Sequence, residues 1–100
     1  MAGLLWSEGE IRACVECYAE MWRADRTARQ VNKADHVRAL LQGPLRKRTK
    51  GAIEYRFANI SAVMVEAGAP FLPGYVPAAN VGPTNAKLIR AMLVEQGLLC

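Results

Sequence analysis

Four cations fall within five residues at Arg46, Lys47, Arg48 and Lys50. Fixed positive charge at that density suits the phosphates of a nucleic acid, where each neutralised phosphate releases counterions and makes affinity depend on salt. Directly behind the cations stand Tyr55, Arg56 and Asn59, side chains able to reach base edges, with Arg suited to guanine and Asn to adenine. Asn59 has a second reading, as an anchor for the backbone of the Pro-rich segment downstream. Tyr55 has one as an exposed or loop-packed aromatic. Ala58 and Ala62 are small enough to let the same face lie close to another surface. Thr49, Lys33 and His36 complete the candidate set, Thr49 as a helix cap and His36 as a support of the fold or a phosphate contact rather than a metal ligand.

Other chemistries find little to work with. There is no nucleophile–base pair, paired carboxylate or phosphate-cradling loop, so the chain does not read as an enzyme, and no cofactor is implied. Cys14, Cys17 and Cys100 cannot make a disulfide framework. Cys14 and Cys17 form a C-x-x-C inside a helical pattern, without the strand that a thioredoxin motif requires. Zinc would need Cys14, Cys17, Cys100 and His36, the single histidine, to converge. Two reduced thiols in or near the core fit the pattern better.

Helices must position the candidate set. Thr49 is placed to cap a helix whose apolar face runs Ile53, Phe57, Ile60, Met64, at spacings of four, three and four. Gly68 then supplies the left-handed residue that ends it. The opposite face runs Gly51, Tyr55, Ala58, Ala62. Ahead of it, Ser7 and Glu10 have capping-box spacing and open a first helix over 8–23, with Ile11, Val15, Tyr18 and Trp22 inward, supported by Cys14 and Met21. Residues 25–31 are polar and lack a period, which reads as a loop. Asn32 caps a second helix over 33–42, closed by Gly43-Pro44, and a short turn over 45–48 leads to the third, over 49–67. The segment 69–82 holds Pro70, Pro73, Pro77 and Gly74 among Phe71, Leu72, Tyr75 and Val76, too rich in Pro for a helix or central strand and too apolar for a free linker. Pro83 opens a fourth helix over 84–96, with Leu88, Ile89, Met92 and Leu93 as its stripe.

The expected fold is therefore all-α, with a helix-turn-helix-like three-helix core over 6–68, an ordered Pro/Gly-rich loop over 69–82 and a C-terminal helix over 83–97. One hundred residues, 52% of them apolar, make one domain with a real core. Net charge is +4, but its distribution says more. Residues 1–22 are acidic, with Arg12 against Glu8, Glu10, Glu16 and Glu20. The positive charge is concentrated in 23–56, and 57–100 is balanced. Such a block suits a polyanion. No apolar run is long enough to span a bilayer, and the start, MAGLLWSEGE, lacks the basic and apolar regions of a signal peptide. A soluble, cytoplasmic location is expected.

Two resemblances sharpen these expectations. Trp6-Ser7-x-x-Glu10, followed by Arg48-Thr49-x-x-Ala52-Ile53-Glu54-x-Arg56, resembles the trihelical Myb/homeodomain-like group. A broader match covers nearly the whole chain: Trp6-Ser7, Tyr18, Asn32-Lys33, His36, Arg38, Leu40, Arg48-Thr49, Ile53-Glu54, Asn59-Ile60-Ser61-Ala62-Val63, Gly68, Pro70 and Gly74-Tyr75-x-Pro77-x-x-Asn80. Together these are similar to the N-terminal DNA-binding domain of bacterial McrA-type, HNH-containing, modification-dependent restriction endonucleases. Phe57, Val76 and Val81-Gly82 depart from that pattern, and no HNH nuclease domain is present. The resemblance implies contact with double-stranded DNA of the kind such enzymes cut, bearing modified bases or backbone, with a nuclease domain linked or separate. It does not imply that this domain reads the mark. Reading of 5-methylcytosine through the major groove is expected from the face of Tyr55, Ala58 and Ala62. A sequence-independent DNA grip, or a protein-interaction or homodimer-forming domain, is the alternative.

Overall fold

The computed structural model describes residues 5–100. Among these the chain is all-helical, with α1 at Glu8–Arg26, α2 at Lys33–Gln42, α3 at Lys50–Glu66 and α4 at Pro83–Glu95, and no strand. Helix α1 packs on α2, α3 and α4. Helix α3 also packs on α2 and α4, while α2 and α4 do not meet.

Each helix start has an identifiable cause. Ser7 Oγ accepts the Glu10 N–H at 3.1 Å while Glu10 Oε1 accepts the Ser7 N–H at 2.9 Å, a complete capping box. Asn32 Oδ1 accepts the Asp35 N–H at 3.0 Å, and Thr49 Oγ1 accepts the Ala52 N–H at 3.1 Å. Pro83 occupies the first turn of α4, where its missing N–H costs nothing. The end of α3 is equally explicit. Gly68 takes φ +77°, its N–H donates to Val65, and the Ala69 N–H donates to Met64, the paired bonds of a Schellman close.

Helix α1 runs three residues beyond the expected Arg23, into the segment read as loop. The Thr27 hydroxyl donates to the Arg23 and Ala24 carbonyls, and Arg23 Nη1 reaches the Gln96 carbonyl oxygen at 3.0 Å, tying the extra turn to the end of α4. The α2–α3 connection is one residue longer than the 43–48 left between the expected helices, because Thr49 is the cap and α3 begins at Lys50. It spans 43–49, with Leu45 fully buried as its anchor and the Leu45 N–H donating to Leu40.

Helix α3 is the centre of the core. Ile53, Phe57, Ile60 and Met64 are all fully buried, and so is Ser61. Tyr18 of α1 joins three elements through its hydroxyl, which accepts the Leu72 N–H at 2.8 Å and hydrogen-bonds Ser61 Oγ at 2.9 Å. Leu72 and Tyr75 of the Pro-rich segment are buried, with the Tyr75 ring 4.9 Å from that of Phe57. The backbone at residue 74 calls for glycine, at φ +96°. A Cβ there would come within 2.6 Å of Lys33 Nζ, a contact that the flexible Lys33 side chain could relieve by moving.

Candidate nucleic-acid interface

The basic residues at the head of α3 divide into two groups. Arg46, Lys47 and Lys50 are exposed. Arg46 and Lys47 also line a cleft of about 430 Å³ with Leu5, Ser7, Glu10, Pro44 and Arg48. The first turn of α3 carries Lys50 and no acid. The positive end of the helix dipole therefore faces a cation, a mild intramolecular repulsion of roughly 0.3–1 kcal/mol that an external anion would relieve.

Arg48 departs from the expectation of a phosphate contact. Its side chain is only 10% exposed, and its Nε and Nη2 donate to the two carboxylate oxygens of Glu10 at 2.9 and 2.7 Å. Nη2 also donates to the Leu5 carbonyl oxygen at 2.9 Å. The Arg48 guanidinium holds the Glu10 carboxyl well below the ordinary range, at about 2. Glu10 in turn raises the pKa of Arg48. Arg48 thus joins the head of α3 to the start of α1.

Trp6 adds a second joint. Arg48 lies over its ring at 4.8 Å from the centroid, and Arg56 lies over it at 4.6 Å. Such stacking contributes about 0.5–2 kcal/mol per pair, more as water is excluded. Arg56 is part-buried, and its Nη1 makes a long contact of 3.4 Å to Asn59 Oδ1. Its Nε is buried without a partner. Burial, and to a lesser degree the Arg48 charge, push the Arg56 guanidinium down from its usual value.

Asn59 takes the loop-anchoring role. It is 2% exposed, and its Nδ2 donates to the Ala78 carbonyl oxygen at 2.8 Å while the Ala78 N–H donates to the Ala58 carbonyl oxygen at 3.1 Å. In this geometry the Asn59 amide is engaged and enclosed, which leaves it out of the groups open to a base edge. Ala58 is part-covered, and Ala62 is part-covered in a groove shared with Val81, Gly82 and Pro83. On the outward α3 face Val65 and Glu66 are exposed at the far end, and the stretch nearest the basic head is open in its first half. There Gly51 has open space around it and Tyr55 is 50% exposed. Thr49 is occupied as the cap.

Lys33 and His36 also have internal partners. Lys33 Nζ donates to the Pro73 carbonyl oxygen at 2.6 Å and sits over the Tyr75 ring. His36 Nδ1 lies 3.4 Å from Glu20 Oε1 and 3.8 Å from Cys17 Sγ. Both neighbours address the same ring nitrogen, which is not the relay of a catalytic triad, where the two nitrogens face different groups. Burial raises the Cys17 thiol to about 12, with Glu20 adding to the effect. Among the described residues no group of three or more His, Cys, Asp or Glu side chains is placed to share a metal ion, and no helix is long and apolar enough to cross a membrane.

Sequence reasoning missed Trp6 and Glu10 as parts of this site. The available signal was the aromatic directly before the capping box, which reads as a helix start and gives no hint of the two arginines it supports. No family model, curated protein or solved structure matches the chain.

Proposed function

We propose that this domain is a double-stranded-DNA-binding module that grips phosphates with Arg46, Lys47 and Lys50 and presents Tyr55 to the major groove. The observation that carries the reading is the exposure of these three cations at the head of a helix whose first turn carries no acid, the nearby Glu10 being engaged by Arg48. Phosphate contacts of this kind fix register and orientation but carry no sequence information. The order α2, connection, α3 supports a helix-turn-helix-like approach, with a connection over 43–49 that is longer than the usual tight turn. The first half of α3 would enter the groove.

A preference for 5-methylcytosine is the finer form of the proposal. Tyr55 is half exposed, and Gly51 one turn earlier leaves space beside it. A methyl group in the major groove offers only apolar surface, and an aromatic side chain at close range can bury it. One methyl is worth roughly 0.8 kcal/mol, about fourfold in affinity. In such a role the domain would serve restriction or modification sensing and bring a linked or separate nuclease to marked DNA.

The test is a titration of matched duplexes, unmodified, cytosine-methylated and phosphorothioated, at two salt concentrations. Salt-steep binding with a severalfold preference for the methylated duplex supports both parts. Salt-steep binding with equal affinities leaves a plain DNA grip. Salt-insensitive self-association without DNA binding overturns the proposal in favour of an interaction domain.

A further inference from the structure

Arg56 is the one arginine in the Trp6 cluster whose charge is not answered. Glu10 gives both carboxylate oxygens to Arg48. Among the described residues no carboxylate pairs with Arg56, whose Nε is buried without an acceptor and whose only hydrogen bond is the long one to Asn59. The cluster of Arg48, Arg56 and Glu10 therefore holds one positive charge in excess, part-buried. Leaving a guanidinium desolvated and unpaired is costly. Cys14, close enough to couple to Arg56, does not compensate, because burial keeps its thiol at about 12 and hence neutral.

The geometry also prepares the group for a ligand. The Trp6 ring, with Arg48 also over it, restrains the Arg56 guanidinium, whose carbon lies 4.6 Å from the ring centroid. A guanidinium so restrained loses little freedom on meeting a tetrahedral oxyanion, and since Nε is enclosed the donors it offers are the terminal Nη1 and Nη2. We propose that Arg56, carried on the Trp6 ring, is a receptor for a single phosphate group, separate from the exposed cations at the head of α3. The inference rests on the DNA reading for the source of that phosphate, a backbone phosphodiester, but its chemistry applies equally to free phosphate.

Melting temperatures separate the cases. The protein is melted in chloride, in inorganic phosphate at equal ionic strength, and in chloride with a short duplex. Phosphate stabilises folded proteins generally by exclusion from their surfaces, so the quantity read is the increment of wild type over a variant. Wild type should gain about 7 °C more from phosphate at ten times the dissociation constant than Arg56→Met does. The triple variant Arg46→Ala/Lys47→Ala/Lys50→Ala should keep that extra gain. Arg56→Gln replaces Arg56→Met if the latter does not fold. Equal increments in wild type and the Arg56 variant overturn the proposal, as does loss of the increment in the triple variant alone. A phosphate increment without any duplex response leaves the receptor standing and removes the DNA reading. A duplex response without a phosphate increment does the reverse.

Discussion

The carboxylate of Glu10 is shared between two helix starts: it accepts the Ser7 N–H within the α1 capping box and takes both Nε and Nη2 of Arg48 at the head of α3. One side chain thereby sets the position of the α3 head relative to α1. The cations that flank Arg48 are oriented by a residue far from them in the chain.

Acid should release this joint. The folded pKa of Glu10, about 2, lies below the ordinary 4.5. The carboxylate therefore contributes stability that is fully present above the unfolded value and is lost as pH falls toward the folded one. Glu10→Gln should cost about 2–3 kcal/mol at neutral pH, most of it from replacing the charged, two-oxygen acceptor of Arg48 with a neutral amide. The difference between wild type and variant should shrink between pH 4.5 and pH 2. Denaturant unfolding of both proteins across that window is the check, and a gap that stays constant with pH contradicts the role.

Salt dependence should sort the cations. Arg46→Ala, Lys47→Ala and Lys50→Ala should each reduce the slope of log affinity against log salt by about 0.9 with little change in stability. Arg48→Ala should instead lower the unfolding free energy, because its charge is spent on Glu10. Fluorescence anisotropy at four salt concentrations, paired with denaturant melts, tests the division. Unchanged slopes for all three exposed cations would remove them from the grip.

Loss of the Asn59 amide should loosen the Pro-rich segment. Asn59→Ala leaves the Ala78 carbonyl without its donor, at about 1–2 kcal/mol. Hydrogen exchange at the Ala78 amide should accelerate by a factor of about ten or more, while amides of α1 change less. Uniform acceleration across the chain would show that Asn59 supports global stability and nothing local.

Thiol chemistry should single out Cys100. Cys14 is fully buried and Cys17 part-buried, and burial raises both thiols to about 12. At pH 8 roughly one molecule in ten thousand would carry either thiolate. Cys100 is exposed. A disulfide reagent should label Cys100 within minutes in the native protein and the other two only after unfolding. Fast labelling of Cys17 would mean that α1 and α2 part readily at His36.

The helices were legible because their punctuation is local. Asn32 and Gly43-Pro44 bracket α2, Thr49 caps α3, and Gly68 closes it, all within a turn of where they act. The extra turn of α1 was not legible, since its support from Gln96 comes from the far end of the chain. The same distance hid the division among the cations. Arg46, Lys47, Arg48 and Lys50 look alike in sequence, and only Glu10, 38 residues away, sets one apart. For Asn59 the residue type allowed two roles, and the backbone of Ala78 decides between them. Arg56 could be read as a cation but not as one left unanswered, because that depends on which arginine the Glu10 carboxylate takes.

Trp6 and Trp22 each lie beneath a guanidinium, Trp6 under Arg48 and Arg56 near one end of α1 and Trp22 under Arg26 near the other. Fifteen residues stand between them, fourteen of them in α1, about 21 Å of helix. Trp6 is tied to the head of α3, and Trp22 is tied to the Pro-rich segment through the Pro70 carbonyl at 3.0 Å. The chain has two tryptophans, so biosynthetic fluorotryptophan would give a two-line spectrum in which each resonance watches a different joint. Events at the basic head would move one line, and release of the Pro-rich segment the other.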